Sequence, residues 1–523
     1  MSARTFRVPY ACRTTRYVYI PMRDGVHLAC DVHRPDAPGR FPCLMVRTPY
    51  GKGGFSREEG AFYARHGYAL CVVDARGTGG SEGTFSYYNI PEGLGDGADV
   101  VDWLAAQPFC NGRVGTYGGS ALGAYQILTA AEAPPALKAM FVEVAPINFY
   151  EDNWFGGGVF RAASRVSWLE SITANTGPSA PVARVEGQVD EQGDLMRRRV
   201  ALDRLKLREE RALRGQCPTP QDWYPPMRVR TEFDDYWRRR DLRDIIRRCD
   251  IPACYHGIWY DHFVRATCEA YQLHRGPKQL HLLPGEQGTH GPHADMDVRA
   301  ARLRWFDYWL QDIDDGLMDE PPVKCFVMGE EQWRTFADWP PADGARTLAL
   351  SKGGRLVEPG RAAPFQDSLP HDPADPLPDV ADIQDIRAFE ARALTYTSAA
   401  LRKDLTVAGE PALRLRFRST SRDAHVIVKL ADVFPDGRSR QVTFAMLRAA
   451  HRDGHERAVP LPGRKAVELT MRLWPVANTF RAGHHVRLVI AGSQAPHCEV
   501  YPEACTNTVL GASTLELPVV GGA

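Results

Sequence analysis

The chain has 523 residues, too many for one hydrophobic core, so two or three domains are expected. Hydrophobic residues make up 44% and charged residues 24%, and Lys plus Arg balances Asp plus Glu at 64 each, so no global field draws in nucleic acid or an anionic membrane. No stretch approaches the roughly 18 apolar residues of a membrane span, and the polar start Met1-Ser-Ala-Arg offers no secretory signal, so a cytoplasmic protein without nucleic-acid or membrane partners is expected.

The 12 cysteines are scattered and form no C-x-x-C pairs. Several, among them Cys43, Cys71 and Cys254, fall inside apolar runs, which predicts buried free thiols rather than disulfides or a zinc site.

Tyr17 to Pro21 and Val26 to Val32 flank an Asp24-Gly25 turn and predict a β-hairpin. Strands are expected at Phe41 to Arg47 and Tyr68 to Val73, each leading into a loop. The first loop is Thr48-Pro-Tyr-Gly-Lys52 and the second Asp74-Ala-Arg-Gly-Thr-Gly-Gly-Ser-Glu-Gly83. Asp96 to Gln107 places Val100, Trp103 and Leu104 on one helical face. Arg113 to Tyr117 reads as a buried strand that turns sharply at glycines into a helix from Leu122 to Ala131, and Ala139 to Val144 as the next strand. Strands alternating with helices predict a doubly wound parallel α/β sheet, whose ligands bind beyond the carboxyl ends of the strands.

The alternation stops near Pro146 and resumes at Ile251. The intervening stretch carries Trp154, Phe155, Phe160 and Trp168, then a densely charged helix over 196–214 expected to be a solvated face. It reads as a helical cap inserted into the sheet domain. Trp154, Phe155 and Trp168, with Trp259 and Phe263 further on, are candidate pocket walls, with packing in the core as the alternative for each. Pro252 to Gly257 and Gln279 to Pro284 are the next strands, and the helix over 298–313 is expected to close this domain. From Pro321 the texture changes to short alternating strands (Lys324 to Met328, Thr347 to Leu350, Ala412 to Phe417, His425 to Leu430, Ala466 to Leu473, His485 to Ile490), which predicts a β-sandwich, a jelly roll able to support a homodimer. The expected organisation is an α/β-hydrolase domain over 1–146 and 250–318, a helical cap over 147–249, and the jelly roll over 319–523.

Chemistry concentrates at Ser120. A serine hydroxyl becomes a useful nucleophile when a strained strand-to-helix turn holds it close to a base and to backbone donors, and Gly118, Gly119 and Ala121 are small enough for such a turn. The match to G-x-S-x-G is imperfect, because Leu122 takes the fifth position and the glycine comes at 123. Its proton needs a histidine, and the histidine a carboxylate that fixes its tautomer. In α/β-hydrolases these follow in the order serine, acid, histidine, and Asp261 and His290 fit, each on a loop after a predicted strand. His293 is the reserve base, Asp261 could instead cap a helix, and Asp74 competes as the acid. The oxyanion needs two donors: the Ala121 amide, and from the loop after an early strand the Tyr50 phenol.

With these residues in hand, Asp74-Ala-Arg-Gly-Thr-Gly-Gly-Ser-Glu-Gly83, the run from Asp102-Trp-Leu to Gly118-Gly-Ser120, Trp259-Tyr-Asp261, Thr289-His-Gly291, Leu473-Trp-Pro475 and Arg481-Ala-Gly-His484 together resemble the X-Pro dipeptidyl-peptidase/cocaine esterase (CocE/NonD) serine hydrolases along nearly the whole chain. The resemblance implies a helical cap, a C-terminal jelly roll, and acyl transfer from a small-molecule ester or amide through an acyl-enzyme. It implies Ser120 as nucleophile, His290 as base, Asp261 as acid and Tyr50 with Ala121 as oxyanion hole, with no metal or organic cofactor.

Departures from the family pattern bear on substrate. Relatives often carry tyrosine at the position of Ala121, and Pro-Trp-Thr-His-Gly where this chain has Gln287-Gly-Thr-His-Gly291. The α-amino acid ester hydrolase branch holds its substrate's ammonium with two carboxylates shortly after the triad acid, where this chain has Phe263 and Val264. The long N-terminal extension of bacterial X-Pro dipeptidyl-peptidases is missing. An ester with an apolar acyl group is therefore expected, with an acyltransferase of the same fold as the alternative, and X-Pro dipeptidyl-peptidase activity behind both.

Overall fold

The computed structural model describes residues 10–54, 57–90, 93–173, 191–213, 224–286, 289–290, 296–380 and 382–521. Its first part is built on a ten-stranded sheet. In chain order the strands are β1 (Cys12–Pro21), β2 (His27–Pro35), β3 (Phe41–Thr48), β4 (Ala69–Asp74), β5 (Cys110–Gly119), β6 (Leu137–Glu143), β7 (Ala253–Ile258), β8 (Lys278–Leu283), β9 (Val323–Val327) and β10 (Gln332–Phe336). Their spatial order is β1-β2-β4-β3-β5-β6-β7-β8-β9-β10.

The β4-β3-β5-β6-β7-β8-β9 stretch is parallel throughout, and antiparallel strands finish both sides. Central strands buried on both faces are largely apolar, as Phe41–Thr48 and Ala69–Asp74 are up to the polar residues at their carboxyl ends, with every residue buried. From β3 the chain steps outward to β4 and then returns to the other side of β3 as β5. The crossovers therefore diverge between the carboxyl ends of β3 and β5, where an open α/β sheet leaves a crevice.

Helices α1 (Arg57–Arg65), α2 (Asp96–Ala105) and α3 (Ala121–Ala130) form the early crossovers. Every residue of α3 is buried. Between β6 and β7 lie α4 (Ala162–Thr173), α5 (Glu191–Leu213) and three short helices, at Tyr224–Val229, Asp235–Arg238 and Arg243–Arg248. Helices α6 (Val264–Leu273) and α7 (Val298–Gln311) complete the α/β part.

Two sequence expectations change. Lys324 to Met328, expected among the short C-terminal strands, lies in the first sheet: β9 pairs in parallel with β8, and β10 then turns back antiparallel against it. Its alternation reflects an outer position, with Lys324 exposed between buried neighbours. The second concerns the charged helix α5. Arg204 donates to the carbonyl of Ser81 at 2.8 Å and to that of Gly79, and Arg199 pairs with Glu82. These arginines clamp the helix onto the Gly-rich loop after β4, while Leu195, Leu202 and Leu205 stay exposed. The loop presents carbonyls that its own turn cannot satisfy, and a guanidinium supplies several donors at once.

From Gly344 to Val519 thirteen strands pair into a second, mainly antiparallel sheet system. The Ala412–Ser419 strand shows the period-2 logic, with Leu413, Leu415 and Phe417 buried and Arg414 and Arg416 exposed. The eleven described cysteines are free, ten of them buried. Among the described residues no helix is long and apolar enough to cross a membrane.

Arg204→Ala should loosen α5 by about 1–3 kcal/mol of local stability, the range for hydrogen bonds from a charged donor. Hydrogen exchange should show the change as faster amide exchange in α5 and in residues 77–83 with the sheet unaffected; unchanged α5 protection would refute the clamp.

Candidate active site

Ser120 sits between the last residue of β5 and the first of α3 with φ 56° and ψ −120°. A non-glycine residue in this region is strained by about 1–3 kcal/mol and persists only where its surroundings fix it. The surroundings are visible. The Ser120 N–H is shared between the carbonyls of Glu143 at 3.0 Å and Val144 at 3.2 Å, tying the turn to the end of β6. Gly118 is itself at φ 137°, and a Cβ there would lie 2.7 Å from that of Leu122. At Gly123 a Cβ would lie 2.6 Å from the Ala145 Cβ, so this glycine lets helix and strand approach. The offset glycine of the imperfect motif thus has a packing reason.

Gln126 secures the same turn, its amide donating to the Gly118 and Phe141 carbonyls at 3.0 and 3.1 Å while its oxygen accepts from Thr116. Below it, Arg302 of α7 bridges Glu143 at 2.8 Å and Glu59 at 3.1 Å. Sequence reasoning passed over both residues, because each acts across elements distant in the chain.

The loop after β3 brings the Tyr50 side chain near that of Ser120. Burial pushes the phenol up from its usual value, and the Trp168 and Ser120 side chains oppose that shift. The Trp168 Nε1–H donates to the Tyr50 oxygen at 3.0 Å. Accepting this bond leaves the phenol O–H available as a donor. The loop is braced from β4: Asp74, fully buried, accepts from the Lys52 and Gly80 amides, and the Lys52 ammonium pairs with Asp31 at 3.1 Å. Asp74 therefore fixes loop geometry. The Ala121 amide, at the first position of α3, has no acceptor inside the helix.

Asp261 follows β7 and is fully buried, with Oδ1 accepting from the Phe263 N–H at 2.7 Å. Its Oδ2 has no partner among the described residues. Burial pushes this carboxyl up to about 7, with the Phe263 N–H and the charge of Arg161 pulling the other way. His290 follows β8. Its backbone pairs with Gly285 in a two-residue ladder with Glu286 and Thr289, while its side chain, like all of His293, lies outside the described residues.

Of the candidate walls, Trp168 is the one brought to Tyr50. Its ring stacks on Tyr88 with centroids 6.2 Å apart and meets Tyr87 edge-on at 5.7 Å. Trp154 is fully buried with Nε1 donating to the Tyr87 hydroxyl at 2.8 Å, and Phe155 packs between Tyr150 and Trp237. Trp259 points away, donating to the Phe326 carbonyl at 2.6 Å and packing on Trp339. Phe263 is buried beside Asp261, its ring against His262. Tyr87 and Tyr88 were missed in the sequence; a Tyr-Tyr pair soon after the Gly-rich loop was the available signal. Among the described residues no group of His, Cys, Asp and Glu is placed to hold a metal ion.

Comparison with known proteins follows the same outline. The family model of the X-Pro dipeptidyl-peptidase (S15 family) matches residues 24–291, and that of the X-Pro dipeptidyl-peptidase C-terminal non-catalytic domain matches residues 315–518. The cocaine esterase of Rhodococcus sp. (strain MB1 Bresler) is 27% identical over 529 residues, covering 92% of this chain and 90% of its own. Two solved structures share the fold. An aminopeptidase from the marine sediment archaeon Thaumarchaeota archaeon has a TM-score of 0.81 at 22% identity, covering 100% of this chain and 98% of its own. An α-amino acid ester hydrolase has a TM-score of 0.80 at 22% identity, covering 99% and 98%.

Trp168→Phe keeps an aromatic ring against Tyr88 but removes the donor to Tyr50. A several-fold fall in turnover at little cost in melting temperature is the expected outcome, since one neutral hydrogen bond contributes about 1 kcal/mol. Wild-type kinetics in this variant would mean that the indole N–H has no part in setting the phenol.

Proposed function

Because the chain belongs to the X-Pro dipeptidyl-peptidase (S15) family, as a serine ester hydrolase of the CocE/NonD type, we propose that it cleaves a carboxylic ester through an acyl-enzyme on Ser120. The observation that carries this reading is a serine held on a strained strand-to-helix turn, with the Tyr50 phenol, fixed by Trp168, at the end of the adjacent parallel strand.

In the proposed reaction the Ser120 Oγ attacks the ester carbonyl carbon while the imidazole of His290 takes the hydroxyl proton. The carbonyl π electrons move onto oxygen, and the oxyanion accepts from the Tyr50 O–H and the Ala121 N–H. Collapse re-forms the C=O bond and breaks the bond to the leaving oxygen, which takes the proton from His290 and departs as the alcohol. Water, deprotonated by the same imidazole, then attacks the acyl-enzyme, releasing the acid and restoring Ser120. The Oδ2 of Asp261, without a partner among the described residues, is suited to receive the second imidazole N–H, which holds the tautomer and stabilises the imidazolium. Trp168 and Tyr88 flank the acyl group with an apolar wall. Water is taken as the acyl acceptor, and product analysis with an added amine or alcohol separates hydrolysis from acyl transfer.

Two tests follow. Tyr50→Phe should lower kcat on p-nitrophenyl esters by roughly 10²–10³-fold, and Ser120→Ala should abolish both turnover and the acyl adduct seen by intact-mass spectrometry; an adduct formed without Ser120 would overturn the assignment. The second is electrostatic. Burial raises Asp261 to about 7, above its ordinary 3.8, against the pull of the Phe263 N–H and of Arg161. A carboxyl raised on folding binds its proton more tightly in the folded state, so its stability contribution is full below about 4 and is lost as pH rises through about 7. His290→Ala should therefore lose thermal stability relative to wild type between pH 4 and pH 8, and Asp261→Asn added to it should flatten the difference. A pH-independent difference would exclude the pairing.

A further inference from the structure

Two arginines at the start of α4 are buried without an ion pair among the described residues. Arg161 is 1% and Arg165 3% exposed. Arg161 donates from Nη1 to the Asp152 carbonyl oxygen and lies over the Trp474 ring at 5.3 Å, but its Nε and Nη2 have no partner. It lines a cavity of about 250 Å³ together with His262, the residue after Asp261. Arg165 makes one weak contact, 3.5 Å to the Ser164 hydroxyl, and stands 5.9 Å from the Trp168 ring centroid. Trp168 lies three residues on, on the same helical face, and is the residue that holds Tyr50. The charge of Arg165 is felt at both Tyr50 and His262, the residue after the proposed acid.

The neighbouring carboxylates compensate this charge only in part: Asp152 and Asp261 favour the Arg161 guanidinium, yet neither carboxylate pairs with it among the described residues. Asp152 accepts from the Ile147 and Asn148 amides at 2.9 and 2.7 Å, and Asp261 accepts from Phe263. Among the described residues neither arginine forms an ion pair. Two like charges at i and i+4 repel each other, and a desolvated guanidinium without an anion is expensive to keep. A fold retains such a pair where something else supplies the negative charge, and the guanidinium fork matches the two oxygens of a carboxylate.

We infer that Arg165, backed by Arg161, is a specificity-determining residue that binds a carboxylate carried by the ester substrate. The inference rests on the esterase reading for the position of the scissile bond. It refines the expected apolar acyl group into an ester with an apolar body against Trp168 and an anionic group beyond it.

Two matched substrate pairs test it and locate the carboxylate. Mono-p-nitrophenyl glutarate against its methyl ester places the charge in the acyl half; 4-carboxyphenyl butyrate against 4-carbamoylphenyl butyrate places it in the alcohol half. In one pair the charged member should have the higher kcat/KM by roughly 10–100-fold, the range of a charge-assisted hydrogen bond in a buried site. Arg165→Gln should bring that ratio close to one, and Arg165→Lys should restore part of it. Equal kcat/KM in both pairs, or a ratio that survives Arg165→Gln, overturns the inference, and the wild-type ratios decide even where a variant fails to fold. Calorimetry of glutarate and of 4-hydroxybenzoate with Ser120→Ala separates the two readings. Arg165-dependent binding without turnover of any ester would leave the anion site standing and sink the esterase. Turnover of neutral esters with no charge preference would do the reverse.

Discussion

The structure depends on one strained residue. Ser120 holds its side chain beyond the sheet because its backbone adopts a conformation that an L-residue avoids, and other parts of the fold absorb that cost. The carbonyls at the end of β6 hold its N–H, Gln126 ties α3 to β5 and β6, and Gly123 lets the helix sit against Ala145. Each contact joins elements that the parallel sheet alone brings together. The order β4-β3-β5-β6 thus has two effects: it opens a crevice between the ends of β3 and β5, and it sets the carbonyls of β6 where the turn needs them.

A second dependence runs through Tyr50, since a hydroxyl donor on a loop is useful only if the loop is stiff. Asp74 accepts two amides, one from the loop of Tyr50 and one from the Gly-rich loop, and Lys52 compensates its charge together with that of Asp31. The segment between β6 and β7 adds Trp168 from above and clamps the Gly-rich loop through Arg204. The strand-rich part adds Trp474 against Arg161 and accepts the Tyr260 hydroxyl at the Gln441 carbonyl at 2.9 Å. All three parts of the chain therefore bear on the neighbourhood of one serine, and an error in docking any of them would reach it.

Features written in local pattern were legible in the sequence. Apolar runs marked the parallel strands, small residues marked the turn at Ser120, and chain order put Tyr50 and Asp261 on loops at the carboxyl edge of the sheet. What escaped was set by long-range geometry. Periodicity says that a residue is buried, not what it faces, so Trp154, Phe155 and Trp168 looked alike until the structure sent two into an aromatic core and one to Tyr50. Trp259 sat one residue from a loop of interest and turned the other way, toward the β9 carbonyl of Phe326. The arginines of α5 read as solvent-facing because composition carries no information about unsatisfied carbonyls on a loop more than a hundred residues earlier.

The same limit applies to charge. The whole chain balances at 64 against 64, yet this balance is not kept locally. Around Ser120, burial drives Arg161 down to about 10 and Asp261 up to about 7, so each is held in a less comfortable charge state than it would have in water. Their attraction offsets part of this, but each keeps atoms without a partner among the described residues: Oδ2 on the carboxylate, Nε and Nη2 on the guanidinium. A fold optimised for stability alone would have closed these groups on one another or replaced them with apolar side chains of similar volume. Left incompletely partnered among the described residues, the two groups suit the roles proposed for them: the carboxylate to take the His290 imidazole N–H, and the arginine to take an anion brought by the substrate.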